Sequence, residues 1–174
     1  MDLSQFLQIS RWQTPAPAEA ANMTVALAFF TRTVGACELG SPVHDPSPWL
    51  TGAGGTPLRV VELMQSIDFR NPLTTACLPT GWRLLCYRNP GALGANGGRY
   101  YTQLGTAGVK LAIPSDQFVA WQATLTRPAP CLISTVGDAY IDWARQRGIP
   151  ARYGSGGSLQ YFIPGGAEVV ALSR

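Results

Sequence analysis

The sequence is poor in the residues that build metal centres and acid–base catalytic sites. It has a single histidine, His44, and its four cysteines lie far apart without a Cys-x-x-Cys pair (Cys37, Cys77, Cys86 and Cys131). Zinc sites draw on cysteine and histidine at close, regular spacing, so this distribution argues against a bound metal. His44 stands in a loop punctuated by prolines, where a structural or solvated histidine is commoner than a catalytic one.

The cysteines leave two alternatives open. Buried free thiols are the simpler interpretation, and a disulfide between Cys77 and Cys86 is the other, because it would close a short loop. Such a disulfide would be typical of a secreted protein.

Charge and long apolar runs are scarce as well. Charged residues make up 13% of the 174 residues, and the net charge of +3 comes from twelve arginines and one lysine that form no run. A duplex-binding protein gathers its basic residues on one face, and a membrane-spanning helix needs about 20 apolar residues in succession. We therefore expect neither a nucleic acid nor a membrane partner, no signal peptide in this chain, and one packed domain over residues 1–174.

The first 80 residues are typical of a helical scaffold. Apolar residues at three- and four-residue spacing predict a helix over 18–34, and a proline at position 57 followed by a similar pattern predicts a second helix through Ile67. Between them, the segment 40–55 is rich in proline and glycine and predicts a loop. No converging polar groups point to chemistry in this half.

Residues 81–174 are typical of a mainly antiparallel sheet, because short apolar or alternating segments are separated by glycine and proline. A helix is predicted from Asp138 to Arg147, where Gly148 and Pro150 end it. The predicted fold class is α+β, with N-terminal helices packed on the sheet. The predicted strands are 82–87, 99–103, 108–113, 131–136, 158–163 and 168–172.

Three local features of this second half could carry chemistry. Arg88 ends an apolar strand and leads into a glycine-rich loop, a position from which a guanidinium can bind a pyrophosphate bidentately. Tyr100 and Tyr101 alternate across a strand, so one can pack in the core while the other, for which Tyr101 is favoured, stacks on a flat ring in a cleft. Gln160 is the one polar side chain in an apolar strand that follows Gly156 and Gly157, which permit close approach of a ligand.

In this order, the three features resemble NAD-glycohydrolase toxins of the tuberculosis necrotizing toxin type, which are similar in plan to ADP-ribosyltransferases. Arg88 matches the family's strand-end arginine, the segment 99–102 matches its second strand, and the segment 156–161 matches the element that carries its essential glutamine. The resemblance covers residues 82–172. The family's histidine in the middle of the domain has no counterpart here.

The resemblance implies a split, ADP-ribosyltransferase-like sheet and metal-independent cleavage of the nicotinamide–ribose bond of NAD or NADP, which is substrate rather than cofactor. It implies that Arg88, Tyr101 and Gln160 are catalytic. Substrate contacts would come from Arg88 and from six further positions: Arg99, Tyr100, Thr102, Lys110, Gly156 and Gly157.

The resemblance also implies a toxin or effector of bacterial competition, secreted or delivered into the cytoplasm of a target cell, with a cognate immunity protein as a possible partner. Two alternatives stay open: a mono-ADP-ribosyltransferase that modifies a protein or nucleic acid, and a non-catalytic binding domain. Transferases usually place a glutamate two residues after the glutamine or glutamate of the last strand element, where this chain has Phe162, although Glu168 lies close in sequence.

Overall fold

The computed structural model describes seven stretches of the chain: residues 2–10, 14–32, 64, 67–88, 100–111, 119–137 and 156–174. Two α-helices, α1 (Leu3–Ser10) and α2 (Pro17–Arg32), precede seven strands. None of the helices in these stretches is long and apolar enough to cross a bilayer.

Side-chain caps fix where both helices begin. Asp2 Oδ1 accepts a hydrogen bond from the backbone N–H of Gln5, and the Gln5 side chain accepts one in return from the N–H of Asp2, at 2.8 and 3.0 Å. Glu19 accepts the N–H of Ala16 at 2.9 Å ahead of α2. Such pairs satisfy N–H groups that have no partner within the helix. The helix predicted over 18–34 is confirmed by α2, whereas α1 was not predicted.

The seven strands form two antiparallel sheets. The four-stranded sheet has the order β1 (Thr74–Leu78), β5 (Ala129–Thr135), β6 (Leu159–Phe162) and β3 (Tyr100–Tyr101). The three-stranded sheet has the order β2 (Arg83–Arg88), β4 (Val119–Leu125) and β7 (Val170–Ser173). A bridge between Leu85 and Thr102 joins the two, since each backbone N–H donates to the other residue's carbonyl at 2.8 Å.

Five predicted strands are confirmed to within two residues at each end: β2, β3, β5, β6 and β7. The strand predicted over 108–113 is wrong, because Gly108–Leu111 forms a 3₁₀ turn. The helix predicted through Ile67 is wrong at its end, where Ile67 bridges Val136. The assignment of residues 1–80 to helix missed β1, and no strand was predicted where β4 lies. The helix predicted over 138–147 falls outside the described residues.

Two apolar clusters lie on the two faces of the four-stranded sheet. The helix-side cluster joins α1 and α2 to Leu132 and Phe162 of the sheet. The inter-sheet cluster fills the space between the two sheets and includes side chains of all seven strands, among them Leu84, Cys86 and Tyr101. Alternation along each strand decides which cluster a residue joins, so Tyr161 and Phe162 lie in different clusters. The fold is therefore α+β, with two antiparallel sheets and with α1 and α2 on one face of the four-stranded sheet.

Candidate functional site

Arg88 is a buried cation on the face of β2 that looks into the space between the sheets. It shares this face with Leu84 and Cys86, which belong to the inter-sheet cluster, and only 5% of its surface is exposed. Its Nη2 donates to the Tyr101 hydroxyl at 3.3 Å, and its guanidinium carbon lies 5.8 Å from the centroid of the Tyr101 ring. The strand end thus holds a positive charge in a defined orientation inside the fold.

Tyr100 and Tyr101 point to opposite faces of β3, as their alternation predicted. Tyr100 is half-buried against the helix-side cluster, where its ring meets Phe162 edge-on at 5.1 Å. Tyr101 is 2% exposed in the inter-sheet cluster beside Arg88. With its ring enclosed by core neighbours, Tyr101 offers Arg88 its hydroxyl rather than offering a ligand an open ring face.

Cys86 lies two residues before Arg88 on the same face of β2. Burial raises the pKa of its thiol, and the charge and a hydrogen bond of Arg88 offset part of that rise. Cys86 and Cys131 are both free and buried, whereas Cys77 is disulfide-bonded. A Cys77–Cys86 disulfide is therefore not formed, and free thiols are correct for Cys86 and Cys131 but wrong for Cys77.

Gln160 is buried, as predicted, but it lies on the other face of the four-stranded sheet. Its Nε2 donates to Ser134 Oγ at 3.1 Å, across the paired strands β6 and β5. Gln160 alternates with Tyr161 and shares its face with Phe162, whose ring packs against Phe29 and Phe30 of α2. The structure therefore does not bring the Gln160 amide to Arg88.

Gly156 and Gly157 adopt positive φ, at 69° and 90°. A Cβ on Gly156 would lie 2.8 Å from the Val136 carbonyl oxygen, so its lack of a side chain is required by strand packing. No atom of the described residues lies within 4 Å of the position that a Cβ on Gly157 would take. Of the two glycines, Gly157 is therefore the one at which the described residues leave room for a ligand.

The other predicted contacts spread over different parts of the fold. Thr102 is 1% exposed, and its hydroxyl donates to the Leu159 carbonyl at 2.8 Å. Lys110 is exposed, and its carbonyl accepts the N–H of Ser158, just before β6 begins. The Leu85–Thr102 bridge and the pairing of β3 with β6 place Arg88 near the other end of β6. Lys110 and Arg88 thus lie toward opposite ends of the sheet. Arg99 and His44 lie outside the described residues.

Trp121 and Arg174 share the inter-sheet face with Arg88, and the sequence did not single them out. Trp121 pairs with Cys86 in the β2–β4 register, and the Arg174 guanidinium carbon lies 4.7 Å from the centroid of the Trp121 ring. Tyr161 pairs with Tyr101, and its hydroxyl accepts from Gln103 Nε2 at 3.4 Å. The sequence does carry a signal for Trp121: Val119, Trp121 and Ala123 stand at every second position between Pro114 and Pro128, a pattern that predicts one face of a strand.

Acidic and metal-binding groups are sparse in this part of the molecule. No group of three or more His, Cys, Asp or Glu side chains that could hold a metal ion occurs within the described stretches. The described stretches contain four Asp and Glu residues, none of which belongs to a strand: Asp2, Glu19, Asp68 and Glu168. Where the structure describes it, the inter-sheet face near Arg88 therefore carries positive charge and aromatic rings, a combination suited to an anionic ligand.

No family model matches the chain, and no curated protein matches it. Among solved structures, the chain is similar to that of Tse6 in complex with Tsi6, with a TM-score of 0.59 and 20% identity over 92% of this chain and 99% of that one. Rhs1-CT in complex with its cognate immunity protein RhsI1 also matches, with 15% identity over 60% of this chain and 79% of that one and a TM-score of 0.40. At this level of identity, the likeness to Tse6 shows a shared fold.

Proposed function

We propose that this chain is a toxin effector domain that hydrolyses the nicotinamide–ribose bond of NAD or NADP, releasing nicotinamide and ADP-ribose or its 2′-phosphate. The observation that carries the proposal is the buried guanidinium of Arg88, oriented by the Tyr101 hydroxyl at the end of β2. Burial removes water from a cation, so polar or anionic groups have to take its place, and the planar fork of a guanidinium suits the bidentate binding of a pyrophosphate.

This reaction makes modest demands on side-chain chemistry. Nicotinamide leaves as a neutral molecule from an oxocarbenium-like state, so neither a strong general acid nor a nucleophile is needed. The protein has to hold the dinucleotide, neutralise its pyrophosphate and admit water, which is positioning and electrostatics. Arg88 would neutralise the pyrophosphate in this scheme, with Tyr101 holding the guanidinium in place.

The fold shared with Tse6 supports the proposal at the level of architecture. In the structures reported above, Tse6 is in complex with a second protein, Tsi6, and Rhs1-CT is in complex with its cognate immunity protein RhsI1. By analogy, we propose a cognate immunity protein as the partner of this chain. Delivery into the cytoplasm of a target cell would bring the domain to its substrate.

Incubation of the purified protein with NAD and with NADP tests the activity. We expect free nicotinamide and ADP-ribose or its 2′-phosphate in equal amounts. Label transferred from NAD to a protein or nucleic acid would identify a transferase instead, and no turnover of either dinucleotide would reject the enzyme.

Variants of Arg88 test its role. Charge-assisted hydrogen bonds are worth about 1.5–3 kcal/mol, so we expect Arg88→Ala to raise KM by about tenfold or more. Arg88→Lys keeps the charge without the planar fork and should give an intermediate KM. Arg83→Ala is the matched control, because Arg83 is an exposed arginine on the other face of β2. Parental kinetics in a folded Arg88→Ala would exclude Arg88 from the site.

A further inference from the structure

The three-stranded sheet carries a second cation on the same face as Arg88. Arg174 follows β7 directly, and the register pairs Ser173 with Gln122, which places Arg174 beside Trp121 in the next row. Its guanidinium carbon lies 4.7 Å from the centroid of the Trp121 ring. Stacking on an aromatic face orients a guanidinium while leaving the N–H groups of its edge open to a ligand.

Neither the Arg174 guanidinium nor the Trp121 Nε1–H makes a hydrogen bond to another described residue. Within the described residues, Arg174 makes no hydrogen bond or ion pair, and its side chain is exposed. The Trp121 Nε1–H is buried and has no hydrogen-bond acceptor there. A buried donor without an acceptor is uncommon in folded proteins, and an oxygen of a bound ligand is one way to supply the acceptor.

Arg174 and Arg88 lie far enough apart to form two separate anion-binding positions. Arg88 pairs with Val119, two residues before Trp121 on β4, and Arg174 lies one strand further across the sheet. Strand spacing and rise put the two Cα atoms about 12 Å apart. One pyrophosphate bound at Arg88 would not occupy both positions, so Arg174 is available to a separate phosphate.

We infer that Arg174, stacked on Trp121, forms a second anion-binding position for a phosphate that the substrate carries in addition to its pyrophosphate. The substrate class that fits is a phosphorylated dinucleotide, NADP rather than NAD. This inference rests on the proposed function for the identity of the ligand. Arg174 would be an additional binding residue, and the preference for NADP does not follow from the position of Arg88 alone.

Calorimetric titration of the purified protein with ADP-ribose and with ADP-ribose 2′-phosphate tests the inference without requiring turnover. We expect the parent to bind the 2′-phosphate about tenfold more tightly, the magnitude of one charge-assisted contact. Arg174→Ala should remove that difference while leaving the affinity for ADP-ribose unchanged. Trp121→Leu, which removes the stacking surface and the N–H, should reduce it as well.

Arg83→Ala provides the matched control, because it removes the same charge from the opposite face of the same sheet. If Arg174→Ala binds both ligands as the parent does, or if Arg83→Ala loses as much preference, the second position does not exist. Binding with the expected preference but no release of nicotinamide from NADP would reject the hydrolase and keep the Arg174 position. A parent that binds neither ligand overturns both.

Discussion

Gln160 and Tyr161 are neighbours in sequence, but strand alternation gives them different surroundings. Tyr161 faces the inter-sheet cluster across from Tyr101, whereas the Gln160 amide bonds Ser134 on the face that α2 covers. The resemblance to the toxin family assigns catalysis to Gln160, and the local geometry gives it a hydrogen bond between β5 and β6. A catalytic Gln160 would affect turnover when replaced, whereas a structural Gln160 would affect only stability.

Paired variants at this contact separate the two roles. Gln160→Ala and Ser134→Ala each remove the same hydrogen bond and leave a buried polar partner, so we expect each to lower the free energy of unfolding by about 1–3 kcal/mol. Denaturant melts measure this cost, and NAD turnover at a temperature where all variants are folded measures the role in catalysis. The resemblance predicts a loss of turnover confined to Gln160→Ala. Equal turnover in both variants would leave Gln160 a structural residue.

At the level of elements, one residue next to β3 connects the two sheets. Thr102 exchanges both backbone hydrogen bonds with Leu85 of β2, and its hydroxyl bonds the Leu159 carbonyl of β6 and the Thr106 hydroxyl. Its side chain therefore fixes the loop that follows β3 against β6, while its backbone holds β2. The distance between the sheets, and with it the position of Arg88, depends on this connection.

Thr102→Val tests the connection because valine keeps the shape and loses the hydroxyl. The Leu159 carbonyl and the Thr106 hydroxyl would each lose this partner, so we expect a destabilisation of about 1–3 kcal/mol and faster hydrogen exchange at the amides of Leu85 and Thr102. Thr74→Val, at an exposed position of the edge strand β1, is the control and should change neither. Unchanged exchange in Thr102→Val would show that the backbone pairs suffice.

The elements found from sequence are those whose period and boundaries are local. The apolar segment over β2, the alternation of Tyr100 and Tyr101, and the glycines before β6 were each sufficient to place a strand. Strand β4 also alternates, with Val119, Trp121 and Ala123 on one face, but the contrast is weak because Ala123 on this face is small and Ala120 on the other face is not polar. Strand β1 is an edge strand with exposed threonines, so burial gives it little pattern.

The candidate site was predictable only in part, for a related reason. Arg88 at a strand end and Tyr101 on the inner face follow from position within single strands. The pairing of Trp121 with Arg174 depends on the register between β4 and β7, which are more than 40 residues apart in sequence. No local sequence pattern predicts such a pair. The face of the sheet on which Gln160 lies likewise depends on which side of the sheet α2 covers.

The whole molecule is organised around strands that serve two cores at once. Strand β5 sends Leu132 to the helix-side cluster and Cys131 to the inter-sheet cluster, and β6 divides Phe162 and Tyr161 in the same way. Neither cluster can lose its packing without disturbing strands that the other needs. Residues 1–174 should therefore unfold as one domain.

Heating variants of each cluster tests this coupling. Leu132→Ala in the helix-side cluster and Leu84→Ala in the inter-sheet cluster should each cost about 2–5 kcal/mol, because both side chains are buried. For a chain of this size, that cost lowers Tm by roughly 5–15 °C. Calorimetry should show a single transition in the parent and in both variants, since a cavity in either cluster weakens shared strands. Leu104→Ala removes a leucine that is 48% exposed and should leave Tm unchanged. Two resolved transitions, with each variant shifting only one, would divide the chain into separately folding halves and contradict the single domain.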